Sequence, residues 1–432
     1  MIIFRIAALD DYLMFFYLLL ILTTTTDLLE GLIKFGEFYL SPVRIYIVFI
    51  SFFLFLGPIR DNRLTLEPGG VFKKYFMITL ALVIVIALSI SKSPDTLYST
   101  KRAFNIFSLI LVSYISYFLA KLHKINMSNV LNLWLSIGLV MCVLGLLQWL
   151  LGVNYGSTEL QYSERKLFFI EIKRISSLFN DPNFFSYYLI TIFFLSVHYP
   201  YAKKNYFKPF LILVSLMFIV FTGSRGALIA TLGAYVLSKT IISANVKTAV
   251  LASVLAVLAT ILSLGIASPH MREAITYKIV SLDTEEQSIL SRILIWQSGL
   301  QLVLNDPLLG VGPGNFVRSG KGQYLEGYRA GQQEVISNIA GHSNYLEIAA
   351  ESGVGAMMLY VSIFIYILVS MRRALKVSEG VIRSSLKWTS SSLMGMMIAN
   401  LFLSYYSFFL FLLIGVSMYL SEKGKNNEMQ IA

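Results

Sequence analysis

Charged residues and cysteine are scarce in this sequence. Lys, Arg, Asp and Glu make up only 14% of its 432 residues, whereas soluble domains carry roughly 25%. So few polar residues could not cover the 56% that are hydrophobic if the chain folded in water. The single cysteine, Cys142, lies inside an apolar run and excludes both an internal disulfide and a cysteine-rich metal site. The composition therefore predicts an integral membrane protein.

Several motifs that carry enzyme chemistry are also missing. The sequence has no Walker P-loop, no HExxH and no Asp-x-Asp, and its four histidines are scattered. The glycine-rich segment 310–315 lacks the spacing of a dinucleotide-binding loop. We therefore expect no cofactor and no metal. The net charge of +11 is explained better by membrane orientation than by nucleic-acid binding.

Apolar runs recur along the chain, and a spanning helix needs roughly 20 such residues. We expect an all-α membrane bundle of about twelve spans. The N-terminal segment 1–11 has no cleavage site, which indicates a retained first helix. The last two spans are nearly fused, so the count is eleven or twelve. The predicted spans are 12–29, 43–57, 72–90, 104–120, 130–151, 184–199, 209–222, 226–242, 248–267, 345–370, 386–403 and 404–420.

The distribution of basic residues predicts the orientation of the bundle. With the N-terminus inside, the short inner loops hold more than half of the 35 Lys and Arg residues and few acidic ones. Both termini are then cytoplasmic. Two long segments lie outside, 152–183 and 268–343. The second contains an amphipathic helix, Ser288–Leu304. This helix ends at Asn305-Asp306-Pro307. We predict one membrane domain, 1–432, with an extracytoplasmic subdomain inserted at 268–343.

Three arginines are placed near the outer membrane face. Arg225 lies in a tight turn, Thr222-Gly223-Ser224-Arg225-Gly226, and its guanidinium suits phosphate. Arg174 precedes the segment 176–183, in which Asp181-Pro182 predicts a helix start. Arg292 lies on the amphipathic helix, one turn before Trp296. Each has a plainer interpretation: headgroup contact for Arg225, a capping turn beside Arg174 and a solvated helix face for Arg292.

A histidine and two carboxylates mark the point where the long loop re-enters the membrane. His342 could act as a general base there, although a lone histidine is as often a hydrogen-bonded structural residue. Glu347 and Glu351 share one helix face, and carboxylates at membrane depth usually have a partner or a function. Gly353 and Gly355 favour close helix packing. Gly341-His342-Ser343 is not a nucleophile elbow, because no strand precedes it.

These groups together indicate an anionic, lipid-borne substrate. Arginine charge can stabilise a departing diphosphate without a metal, and a histidine can deprotonate an acceptor hydroxyl. A lipid diphosphate sugar fits this combination.

Four segments then occur in an order that resembles the O-antigen ligase and polymerase superfamily of bacterial envelopes. They are Arg174 with Phe179-Asn180-Asp181-Pro182-Asn183, Thr222-Gly223-Ser224-Arg225-Gly226, Ser291-Arg292 with Trp296 and Pro307-Leu308-Leu309-Gly310-Val311-Gly312, and Gly341-His342-Ser343-Asn344-Tyr345-Leu346-Glu347 with Gly353-Val354-Gly355. The motifs cover roughly residues 170–370, and the N-terminal third carries none.

The resemblance implies a GT-C-like, metal-independent, inverting glycosyltransferase of the bacterial inner membrane, with its active site facing the periplasm or the exterior. Its donor would be a glycan on undecaprenyl diphosphate. His342 would be the base or would position the acceptor, Glu347 would orient His342, and Arg225 and Arg292 would bind the diphosphate. Arg174 is a weaker candidate for that contact.

The motifs leave several functions open. We favour a polymerase that joins lipid-linked repeat units of O-antigen, capsule or exopolysaccharide. The alternatives are the ligase that transfers O-antigen to lipid A core, a protein O-oligosaccharyltransferase, and a lipid-linked sugar flippase or transporter. A transporter usually has polar groups in broken helices at mid-membrane, whereas here they lie at the outer edge. Expected partners are the lipid-linked oligosaccharide, the glycan or lipid A core acceptor, membrane lipids and a chain-length regulator.

Overall fold

A computed structural model describes most of the chain after residue 66. The described residues are 33–35, 38–40, 67–122, 126–151, 164–167, 170–200, 206–243, 284–319 and 341–431. The predicted spans 12–29, 43–57 and 248–267 lie outside the described residues, and so do parts of the 268–343 segment.

Helices dominate the described residues, as the prediction of an all-α fold class requires. Two short antiparallel hairpins accompany them, β1 (Ile33–Phe35) with β2 (Phe38–Leu40), and β3 (Glu164–Leu167) with β4 (Ile170–Lys173). The helices are α1 Gly70–Ser89, α2 Thr96–Leu122, α3 Met127–Leu151, α4 Pro182–His198, α5 Phe207–Phe221, α6 Arg225–Ser243, α7 Thr284–Asn305, α8 Asn344–Leu375, α9 Gly380–Ala399 and α10 Phe408–Ile431. A single 3₁₀ turn, Ile90–Lys92, follows α1.

Every predicted span that falls in the described residues coincides with a helix. By length and composition, four of the described segments are apolar enough to cross a membrane: Gly70–Lys92, Thr96–Lys121, Met127–Leu151 and Asn344–Leu375. The count of twelve spans and the orientation of the termini stay predictions. The last two predicted spans are separate helices, α9 and α10, with residues 400–407 between them.

Local rules explain the helix boundaries that border the site. Asp181 caps α4 by accepting a hydrogen bond from the Asn183 amide at 2.6 Å, and Pro182 occupies the first helical position. The amphipathic helix α7 ends at Asn305, at the predicted stop. Helix α8 is kinked at Gly353, whose φ is 86°.

Helix α10 is the centre of the bundle. Its residues 408–421 are all buried, and it packs against α2, α8 and α9. By contrast, α1 and α3 each leave one apolar face exposed, as expected of helices that border lipid.

The start of α1 depends on one residue of α10. Glu422 accepts hydrogen bonds from the amides of Val71 and Phe72 at 3.0 and 3.2 Å and from the Tyr117 hydroxyl at 2.6 Å. These amides belong to the first turn of α1, which has no partners for them within the helix.

We therefore expect Glu422→Ala to destabilise the protein by about 1–3 kcal/mol, the cost of leaving buried donors without partners. The thermal midpoint of the detergent-solubilised protein should fall by several degrees. The midpoint of Glu422→Gln should fall less, because glutamine keeps an acceptor oxygen. An unchanged midpoint in the alanine variant would contradict the capping role.

Candidate active site

A cleft at the starts of α4 and α6 brings two of the predicted arginines together. Arg225 and Arg292 both line it, although they come from α6 and α7. The remaining lining residues include polar, small and apolar side chains: Asn183, Ser186, Tyr187, Ser224, Gly226, Ala227, Ala399, Phe402 and Leu403. The cleft therefore combines two guanidinium groups with hydroxyl and amide groups at its edge.

Arg225 is the first residue of α6, where the helix dipole is positive. A cation at this end is unfavourable by itself, but an anion would be attracted both by the side chain and by the helix N-terminus. The turn before it is compact because Gly223 adopts a φ of 65°, and Gly226 lies against Phe402. The geometry of this turn favours binding of an anion in the cleft.

Arg174 forms hydrogen bonds to two segments at the cleft. Its Nε donates to the Thr222 carbonyl oxygen at 2.7 Å and its Nη2 donates to Asn183 Oδ1 at 3.1 Å. Arg174 thus connects the Arg225 turn to a lining residue of α4. These bonds give Arg174 a role in shaping the cleft, whereas direct contact with a substrate stays a prediction.

Arg292 is presented by α7, which packs on the start of α8. Ile295, Leu302 and Phe316 form a small core with Ala350 of α8. On the cleft side, the rings of Trp296 and Phe402 are 6.3 Å apart. The packing of α7 on α8 therefore holds Arg292 over the cleft.

The glycine-rich segment after α7 is a docking element. The Val311 and Gly312 amides donate to the carbonyl oxygens of Ala350 and Glu351 at 2.9 Å each, and the Val354 amide donates to the Pro307 carbonyl at 2.9 Å. These bonds join the segment to α8 around its kink. A side chain at Gly353 would collide with the Leu308 carbonyl.

Gly353→Ala should therefore destabilise the protein, since the new methyl group meets backbone and the φ of 86° is strained for alanine. We expect a loss of about 1–3 kcal/mol. Gly355→Ala is the matched control, because a methyl group there meets no atom of the described chain within 4 Å. Thermal unfolding of both variants checks this; equal midpoints would contradict the docking. The predicted close packing at Gly355 is not seen in this part of the chain.

His342 lies just before α8 in an unusual backbone conformation. Its φ is 51°, a left-handed value that costs about 1–3 kcal/mol outside glycine and is found at functional sites. Ser343 then caps α8. Burial, together with the positive charge of Arg292, lowers the pKa of His342 to about 4, while Asp181 acts in the opposite direction. The imidazole is consequently neutral at pH 7 and able to accept a proton.

Two asparagines connect the helix starts around His342. Asn344 Nδ2 donates to Asn400 Oδ1 at 3.0 Å, and the Tyr187 hydroxyl donates to the same oxygen at 3.0 Å. The Asn344 amide donates to the carbonyl oxygens of Asn400 and Leu403 at 3.0 and 3.1 Å. Sequence reasoning missed Asn400, because no local pattern distinguishes it at the end of α9.

Glu347 and Glu351 are buried on the face of α8 that turns towards the docking segment. Glu351 Oε1 accepts from the Phe316 amide at 3.1 Å. The Glu347 carboxylate lies beside Gly341, the residue before His342, and interacts with the Gly341 backbone and the Ser404 side chain. Arg102 of α2, which the sequence analysis also missed, is within electrostatic range of both carboxylates.

The structure thus brings together most of the predicted site. Arg225 and Arg292 both line the cleft. His342 lies within electrostatic range of Arg292. Arg174 is hydrogen-bonded to Asn183, which also lines the cleft. Glu347 lies near Gly341, the residue before His342. Within the described residues, no group of three or more His, Cys, Asp or Glu side chains is arranged to hold a metal.

A family model matches part of the chain. Residues 210–361 match the family model described as O-antigen ligase. That segment contains Arg225, Arg292, His342 and Glu347, whereas Arg174 precedes it. No curated protein matches the chain.

Proposed function

We propose that this chain is a membrane glycosyltransferase that polymerises lipid-linked repeat units, because residues 210–361 match the family model described as O-antigen ligase. The donor in this proposal is an oligosaccharide on undecaprenyl diphosphate. The acceptor is a hydroxyl of a second glycan, and the product belongs to O-antigen, capsule or exopolysaccharide. The site faces the periplasm at the inner membrane.

The observation that carries the proposal is the cleft shared by Arg225 and Arg292, with His342 in the field of Arg292. Two guanidinium groups can bind a diphosphate through paired hydrogen bonds. As the bond between the anomeric carbon and the diphosphate oxygen breaks, negative charge grows on that oxygen, and the arginines stabilise it. The cleft would therefore contribute most to catalysis in the transition state, in which this charge develops.

His342 supplies the base in this proposal. Its neutral imidazole takes the proton from the acceptor hydroxyl while the hydroxyl oxygen attacks the anomeric carbon from the face opposite the diphosphate. The anomeric configuration is therefore inverted, and no metal takes part. In this proposal Glu347 positions His342 through the backbone of Gly341, with which its carboxylate interacts, and Arg174 holds the Arg225 turn.

A ligase is the second candidate, since the matching family model bears that description. In that case the acceptor is lipid A core and the donor is a finished chain. The same cleft and the same base serve both reactions, so the acceptor distinguishes them.

Disruption of the gene in the producing cell separates the two functions. A polymerase predicts that single repeat units still reach their acceptor while long chains disappear. Long chains that accumulate on the lipid carrier would contradict polymerisation and favour the ligase. Unchanged surface polysaccharide and carrier pools would contradict both.

A further inference from the structure

His342 and Asp181 belong to two helix starts that meet at the cleft. Asp181 is the N-cap of α4, and His342 directly precedes Ser343, the N-cap of α8. Both side chains are half-buried. Asp181 lies two residues from Asn183, which lines the cleft.

Two sets of contacts hold these helix starts together. The rings of Phe184 and Tyr405 stack with centroids 3.9 Å apart, and the Tyr405 amide donates to Asn344 Oδ1 at 2.8 Å. The Tyr187 hydroxyl reaches Asn344 through Asn400. The first turn of α4 is thus tied to the first residue of α8, two positions from His342.

The segment that leads into Asp181 is also held in place. Gln148 Oε1 of α3 accepts from the amides of Ser176 and Ser177 at 2.9 Å each. Phe179 is buried and its ring lies 5.7 Å from that of Phe185. Asp181 therefore occupies a defined position relative to the cleft.

The charges that act on His342 come from two helices. Arg292 of α7 disfavours the protonated imidazole, and Asp181 of α4 favours it. Arg225 lines the same cleft on α6. Glu347, in the first turn of α8, lies near the backbone of Gly341. It is therefore connected to His342 only through the neighbouring residue of the chain.

We propose that Asp181 is the acidic partner of the His342 imidazole: its carboxylate stabilises the imidazolium that forms during transfer. Asp181 is a positioning residue in this role, because it acts through His342 and does not contact the substrate. The inference rests on the proposed function and adds a residue outside the matched segment.

The step balances without another reactant. The acceptor oxygen forms a bond to the anomeric carbon, and its proton passes to His342. The bond from that carbon to the diphosphate oxygen breaks, and the electron pair leaves with the lipid diphosphate. The imidazolium then lies between Arg292, which repels it, and Asp181, which attracts it. Proton loss to water or to the diphosphate restores the neutral base.

Asp181→Asn removes the negative charge of Asp181 while keeping its role as the N-cap of α4. Asparagine caps helices as well as aspartate does, so the bond to the Asn183 amide and the start of α4 should remain. Asp95→Asn is the matched control, since Asp95 also accepts a hydrogen bond within its own helix start, from the Tyr98 amide at 3.0 Å, and is distant in sequence from the cleft. Both variants would be purified as full chains, reconstituted in vesicles and assayed with a lipid-linked oligosaccharide.

We expect Asp181→Asn to lower kcat by about 10- to 100-fold at pH 7, part of the effect of a general base. KM for the donor should stay within about twofold. The acid limb of the pH profile should move to lower pH, because removing a negative charge lowers the pKa of His342. Asp95→Asn should behave as the wild type does.

An unchanged kcat in Asp181→Asn, with active wild type, would overturn the inference and leave the proposed function standing. A rise in KM with an unchanged pH profile would also overturn it, as this would indicate a binding or structural role. Absence of transfer by the wild type would defeat the proposed function and the inference together.

Discussion

Replacing His342 with alanine should reduce glycan transfer by about 10²- to 10⁴-fold at pH 7, the usual contribution of a general base. The acceptor hydroxyl would lose the group that takes its proton, while the arginines of the cleft still bind the diphosphate. KM for the donor should therefore change little. The measurement is initial rate against donor concentration with purified protein in vesicles.

The control for His342 is a second half-buried histidine, His198. His198 Nε2 is 3.2 Å from Ser391 Oγ at the far end of α4, about 25 Å along the helix from Asp181. His198→Gln should retain transfer at normal protein levels. Transfer by His342→Ala at the wild-type rate would remove His342 from the mechanism.

The pH dependence of the wild type follows from the same residue. Because the pKa of His342 is lowered to about 4, its base form persists throughout the range from pH 5 to 8. Transfer that depends on this base should fall only as pH drops through about 4. A histidine with an ordinary pKa near 6.5 would lose activity already below pH 6.5. Loss of activity centred on pH 6.5 would contradict the environment described for His342.

Arg225→Lys and Arg292→Lys should each lower kcat/KM by about 10²- to 10³-fold, as is typical when one donor to a developing anion is removed. Lysine keeps the positive charge but cannot offer two parallel N–H donors to a diphosphate. The loss should appear in kcat as well as in KM, because the charge on the departing oxygen grows in the transition state.

Arg318→Lys is the control for these two variants. Arg318 forms an exposed ion pair with Asp95 at 2.9 Å and its guanidinium lies over the Tyr98 ring at 4.4 Å. It does not line the cleft. Its conversion to lysine should change transfer by less than about twofold. Full activity of Arg225→Lys would show that paired hydrogen bonds from this residue are not needed.

The sequence was sufficient to predict features that depend on neighbouring residues. Asp181-Pro182 predicted the start of α4, because a capping carboxylate followed by proline suits a helix N-terminus. Likewise Asn305-Asp306-Pro307 predicted the end of α7. Apolar length predicted the positions of the helices that fall in the described residues, since a chain segment in lipid satisfies its own backbone by forming a helix.

Features that depend on residues far apart in the chain were not predictable in this way. Nothing in the sequence indicated that Asn344 and Asn400 would pair, or that Arg102 would lie near Glu347 and Glu351. The kink at Gly353 was also missed, since it depends on the Leu308 carbonyl of a segment that packs against α8. These contacts arise from tertiary packing, which local residue patterns do not encode.

Turnover of a lipid diphosphate-linked oligosaccharide by the purified protein tests the central claim most directly. The protein would be placed in vesicles with a chelator and without ATP, and products would be analysed for new glycosidic bonds and released lipid diphosphate. The account predicts longer glycans with inverted anomeric configuration from the wild type, and loss of that product in His342→Ala and Arg225→Lys. No new glycosidic bond from the wild type, or equal product from all three proteins, would contradict it.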